Sequence, residues 1–148
     1  MGKFEKDTGA GRFFKDFKKY HGLPVQDAIF FNQSDLICDM AKHEDFIVMG
    51  RCADVVLTNH HITHISIFIT ASFDQRVRRM MEINSLNYKQ AEHLLKKLDK
   101  RHERYYHAYT GKKWGDAVNY DLCIDSASYG IEESVELIER MINKYPNS

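Results

Sequence analysis

Ile65-Ser66-Ile67-Phe68-Ile69-Thr70 is an apolar run rich in β-branched residues, the composition of a strand covered on both faces. Two other runs share its character. Asp45-Phe46-Ile47-Val48-Met49-Gly50 lies upstream, and Tyr120-Asp121-Leu122-Cys123-Ile124-Asp125 lies downstream. Helical periodicity fills the gaps between them. After Pro24, the residues Val25, Ala28, Ile29, Leu36, Ile37, Met40 and Ala41 form a stripe that ends near His43. A helical pair is expected over residues 73–109, its second member opened by a capping box of Asn87 and Gln90 and continued by Ala91, Leu94, Leu95, Leu98 and Tyr105. A last helix over residues 131–144 should turn Ile131, Val135, Ile138, Met141 and Ile142 inward and Glu132, Glu133, Glu136 and Glu139 outward. Phe13, Phe14, Phe17 and Tyr20 mark a short amphipathic helix before His21-Gly22. Three strands separated by helices predict an α/β fold with a parallel sheet between helical layers.

The chain has 148 residues, 43% of them hydrophobic, and no internal repeat or linker, so residues 1–148 are expected to form one domain. Lysine plus arginine equals aspartate plus glutamate at 21 each, which removes any general attraction to nucleic acid or to an anionic membrane. No apolar run approaches the roughly 20 residues that span a bilayer, and the start carries no apolar signal core. Cys38, Cys52 and Cys123 are odd in number and far apart, which argues against a disulfide framework or a thiolate zinc site. A cytoplasmic protein with reduced thiols is the expectation.

Ligands of parallel α/β sheets bind beyond the carboxyl ends of the strands. After the first run comes Gly50-Arg51-Cys52-Ala53-Asp54. Glycine permits a sharp turn, Arg51 offers a planar fork that matches a phosphate or carboxylate, and Asp54 can orient it or accept bonds from a base or sugar. The same two residues can instead pair to cap the next turn. After the second run, the helical pair carries Arg76, Arg78 and Arg79 on one member and Lys100, Arg101 and Arg104 on the other. Arg76 with Arg79, and Arg101 with Arg104, are spaced to share a helix face, and cations on facing helices suit a polyphosphate. The alternative is a solvated basic face balanced by Glu82, Asp99 and Glu103. After the third run, Asp125-Ser126-Ala127-Ser128 reads mainly as a helix cap. His60-His61-x-x-His64 lacks a carboxylate or thiolate at ligand spacing, so no metal site is expected there. Tyr105, Tyr106, Tyr109 and Trp114 can stack on a base or pack at the end of the hairpin.

Four of these pieces, in order, resemble the cytidylate kinase-like family. They are Phe46-Ile47-Val48-Met49-Gly50-Arg51-Cys52-Ala53-Asp54; Ile67-Phe68-Ile69 leading into Arg76-Val77-Arg78-Arg79-Met80; Leu98-Asp99-Lys100-Arg101-His102-Glu103-Arg104-Tyr105-Tyr106; and Trp114-Gly115-Asp116 with Tyr120-Asp121-Leu122-Cys123-Ile124-Asp125. The resemblance runs from about Tyr20 to Ile142. It implies a P-loop kinase fold with a three-layer parallel sheet, residues 73–112 being its lid-type hairpin. Arg51, with Asp54, would then hold a nucleoside monophosphate, Arg51 gripping its phosphate. Arg76, Arg79, Arg101 and Arg104 would approach the transferred phosphoryl group, and ATP and Mg2+ are the implied cofactors.

Such kinases open with a strand, a glycine-rich loop and a helix whose amides cradle the phosphates of ATP. No stretch here matches G-x-x-x-x-G-K-[ST]; the nearest, Thr8-Gly9-Ala10-Gly11-Arg12, has no apolar strand before it. The expectation is a fold incomplete at its N-terminus, with either an altered strand order or a homo-oligomer covering the open edge, unless a missing N-terminal segment supplies the strand. Two functional classes stay open. One is a kinase relative that moves a phosphoryl group from ATP to a nucleotide; the other is a non-catalytic nucleotide- or anion-binding module that keeps the fold.

Overall fold

Pro24, which cannot continue a helix upstream, sits at the N-cap of α1 (Val25–Met40) in a computed structural model that describes residues 22–145. The aromatic helix expected over residues 13–20 and the segment Thr8-Gly9-Ala10-Gly11-Arg12 lie outside the described residues. Two compact units divide the chain, one ending at Ile62 and the other beginning at Thr63.

In the first unit, α1 packs on α2 (Ala53–Asn59) through Ile37, Ala53 and Leu57, with Ala41, Phe46, Val48 and Ile62 closing round them. The segment expected as a strand over residues 45–50 supplies two of those groups but is not a strand. It keeps the alternation of extended backbone: Phe46 and Val48 are half-buried, while Ile47 is 93% and Met49 88% exposed. A strand is defined by the ladder it joins, and among the described residues none pairs with it.

The second unit holds the described sheet, two strands in place of the expected three. β1 (Ile67–Thr70) and β2 (Leu122–Asp125) run parallel, with Ile67 opposite Leu122 and Thr70 opposite Asp125. The pair is locked where it begins. Asp121 Oδ2 accepts from the Ser66 amide at 2.7 Å and from its hydroxyl at 2.9 Å, while the Asp121 amide donates to the Ser66 carbonyl at 2.9 Å. The mixed α/β class holds, with helices predominating over a small parallel sheet.

Between the strands stands a helical hairpin, α3 (Phe73–Asn84) and α4 (Tyr88–Thr110). Both helices start with a capping box. The Asn87 side chain accepts from the Gln90 amide at 2.9 Å and its own amide donates to Gln90 Oε1 at 3.0 Å; Ser72 and Gln75 repeat the arrangement. Val77 and Ala91, both fully buried, and Leu95 form the seam between the helices, with Met80, Met81 and Leu86 around it. A 3-10 turn (Ala117–Asn119) precedes β2, and the short α5 (Ser126–Tyr129) leads into α6 (Ile131–Lys144). The last helix has the expected bounds, but its apolar stripe is less covered than periodicity implies. Ile131 is 60% exposed and Val135 and Ile142 are each 48% exposed, while the buried position is Ser134. No helix among the described residues is long and apolar enough to cross a membrane.

Candidate functional site

Arg51 owes its position to an unusual turn. Gly50, Arg51 and Cys52 have φ of 71°, 59° and 54°, three successive residues in the left-handed region. Glycine adopts it freely, whereas each of the other two gives up roughly 1–2 kcal/mol. The turn reverses the chain into α2, with the Cys52 carbonyl accepting from the Val55 and Val56 amides at 3.1 and 2.9 Å. It buries Cys52 and leaves Arg51 exposed. Burial, reinforced by the nearby Asp54 carboxylate, pushes the Cys52 thiol up to about 11, so it is not a nucleophile at neutral pH.

Among the described residues Arg51 has no ion-pair partner, and the alternative of an Arg51–Asp54 pair is not what the structure shows. Asp54 lies half-buried in the first turn of α2, where the helix dipole favours a carboxylate. Arg51 stands instead on the edge of a groove of about 230 Å³ in the first unit, whose apolar wall includes Leu36, Ile37, Met40, Phe46 and Val48. Gln33 lines the same groove. Its Oε1 is shielded from solvent and has no hydrogen-bond partner among the described residues. Leaving such an acceptor unmade costs about 1–3 kcal/mol. Reasoning from the sequence passed over Gln33, although an amide at helical spacing from Leu36, Ile37 and Met40 was a visible break in an apolar face.

The hairpin cations divide. Arg76 is half-buried and its Nη2 pairs with Asp99 Oδ1, joining α3 to α4. Arg78 is held by Asp74 at 2.9 Å, and Asp74 also accepts from the Tyr88 hydroxyl at 3.2 Å. Arg79, Arg101 and Arg104 are exposed. Leu95 and Asp99 face α3, and at about 100° per residue Arg101 and Arg104 fall on the opposite side of α4. The arrangement therefore sets Arg76 apart, as a tie between helices, from an outward-facing pair.

Aromatic residues fasten the far half of α4. His102 lies 5.3 Å from Trp114, and Phe68 of β1 lies 5.5 Å from Trp114 and 4.9 Å from Tyr120. Gly115, at φ 74°, lies against the Phe68 ring, where an added Cβ would come within 3.1 Å of Cζ. Trp114 and Gly115 thus serve packing. Asp125 serves as a cap: it accepts from the Ala127 and Ser128 amides and from the Ser128 hydroxyl at 2.7 Å, which holds its carboxyl below the usual range. His60 Nδ1 lies 2.8 Å from the Val56 carbonyl oxygen, and no three metal-ligating side chains converge among the described residues. A shallow hollow of about 460 Å³ at the start of α4 includes Asn87 and Gln90, which the capping box already engages.

Residues 1–128 match the family model of the cytidylate kinase-like family. A cytidylate kinase of Staphylothermus marinus is 22% identical over 143 residues, an overlap of 92% of this chain and 81% of that protein. The crystal structure of an uncharacterized protein from Eubacterium ventriosum superposes with a TM-score of 0.70 at 29% identity, covering 94% of this chain and 78% of the other. With the family model spanning most of its length, this chain belongs to the cytidylate kinase-like family.

Proposed function

We propose that the chain binds a nucleoside monophosphate as the acceptor component of a cytidylate kinase-type phosphoryl transfer, with Arg51 holding the phosphate. The observation that carries this reading is Arg51 itself, a fork of donors with no ion-pair partner among the described residues, presented from a strained turn at the edge of a groove. Asp54 supports it from the first turn of α2. Arg79, Arg101 and Arg104 supply exposed positive charge for a polyphosphate, and Arg76 keeps the hairpin that carries them in shape through Asp99.

ATP and Mg2+ belong to the same proposal. Exposed arginines fit the phosphates, and Mg2+ needs only one or two carboxylates beside its waters and the phosphates, so a dedicated protein cage is not required. Free Cys38, Cys52 and Cys123 are in keeping with a reducing, cytoplasmic setting.

Calorimetric titration with CMP tests the reading. Arg51→Ala should weaken binding at least tenfold, the worth of a charge-assisted hydrogen bond to phosphate. Equal affinity of the two proteins, or no binding of any nucleoside monophosphate, overturns it.

A further inference from the structure

Charge on the hairpin is unevenly placed. At about 100° per residue, Lys89, Lys97, Lys100, Arg101 and Arg104 fall within about a third of the circumference of α4, on the side away from the Val77–Ala91–Leu95 seam. All are exposed, and none has an ion-pair partner among the described residues. The same sector holds His93, His107, Gln90 and Ala108, and no carboxylate. Glu92, Asp99 and Glu103 lie outside it, the first two paired with Lys96 and Arg76. The chain is neutral as a whole because its acids stand elsewhere, four of them on α6.

Length decides what such a face can hold. Lys89 lies about 18 Å along the axis from Arg101, so a triphosphate that touches Arg101 and Arg104 cannot also reach it. From Lys89 to Arg104 the cations extend over about 22 Å, the span of about six phosphates on one strand of a duplex. Membrane surfaces call for large apolar side chains beside the charges, and single strands are held largely by stacking on aromatic rings. This face has neither. A duplex asks only for cations along its phosphates. Lys89 and Lys100 stand roughly 60–120° round the axis from Lys97 and Arg101, so the stripe has two edges, one for each wall of a groove. The major groove of B-form DNA, about 12 Å wide, admits a helix about 10–12 Å across, whereas that of an RNA duplex is narrow.

We propose that the outer face of α4 binds the phosphate backbone of duplex DNA without regard to sequence. This binding is separate from the acceptor role of Arg51 and uses Lys89, Lys97 and Lys100, which have no part in that role.

Fluorescence anisotropy of the full chain with a labelled DNA duplex of about 20 base pairs, two turns of the double helix, tests it over a series of salt concentrations. Two unrelated sequences should bind equally, and the logarithm of the association constant should fall against that of salt with a slope of about −4, as for four or five phosphate contacts. The combined variant Lys89→Gln, Lys97→Gln and Lys100→Gln should bind about tenfold more weakly or worse, with a slope shallower by about 2–3, while its melting temperature and CMP affinity stay at the parent's values. A control with Lys42→Gln, Arg140→Gln and Lys144→Gln removes as many exposed cations from other places and should bind the duplex as the parent does. No duplex binding at about 50 mM salt overturns the proposal, as does equal weakening by the two triple variants. Single-stranded DNA, duplex RNA or anionic vesicles bound as tightly as the DNA duplex would overturn it too.

Discussion

At the residue scale, the turn at Gly50, Arg51 and Cys52 separates function from stability. Glycine is at ease at φ 59°, so Arg51→Gly should leave unfolding free energy unchanged or raise it by up to about 1 kcal/mol. CMP affinity should meanwhile drop tenfold or more. Urea titration read beside calorimetry shows both, and a loss of stability beyond about 1 kcal/mol would mean that the Arg51 side chain holds the turn. Cys52 makes a separate prediction. Its folded thiol titrates near 11 against an ordinary 9.0. Below pH 9 both states keep the proton. Between pH 9 and 11 the unfolded chain ionises first, so stability should fall by on the order of 2 kcal/mol. Cys52→Ala should show a shallower fall over the same range.

At the element scale, Arg76 and Asp99 are expected to be coupled. Each is about a quarter to a third exposed, which leaves room for on the order of 1 kcal/mol between them after screening. A double-mutant cycle with Arg76→Ala and Asp99→Ala, followed by thermal unfolding, measures it. Additive losses would mean that the pair does not tie the hairpin. The limits of sequence reasoning follow from the same physics. The Asn87–Gln90 box and the course of α4 were legible because capping and helical periodicity are decided within a few residues. The Arg76–Asp99 pair was not, because it joins positions 23 residues apart. The run Phe46-Ile47-Val48-Met49 was misjudged for a related reason: apolar composition describes a segment able to be a strand, and only a neighbour makes it one. Likewise the stripe on α6 gave the helix its bounds but not the degree to which Ile131, Val135 and Ile142 are covered.

At the scale of the molecule, Arg51 lies in the unit ending at Ile62 and the hairpin arginines in the unit beginning at Thr63. The order of motifs along the chain was enough to recognise the family, and the family model confirms it over residues 1–128. Residues of the candidate groove were legible to the extent that they carry charge: Arg51 stood out, whereas Gln33, a neutral amide inside a helix, did not. Within the 148 residues there is no G-x-x-x-x-G-K-[ST] sequence. A coupled assay with this chain, ATP, Mg2+ and CMP is therefore expected to show little or no turnover even where CMP binds. Robust formation of CDP would show that phosphate is held by other means.

The aromatic fastening of α4 gives the hairpin a mechanical character. The helix has 23 residues and is secured near His102 by Trp114 and Phe68, while its first turn lies about 21 Å away. It is a lever with its fulcrum about two-thirds of the way along. A tilt of about 10° there sweeps the tip near Tyr88 through about 4 Å but shifts Asp99 by less than about 1 Å. The Arg76–Asp99 tie and the cations at Arg101 and Arg104 sit close to the pivot, so of the hairpin's charges these are the ones such a tilt would displace least.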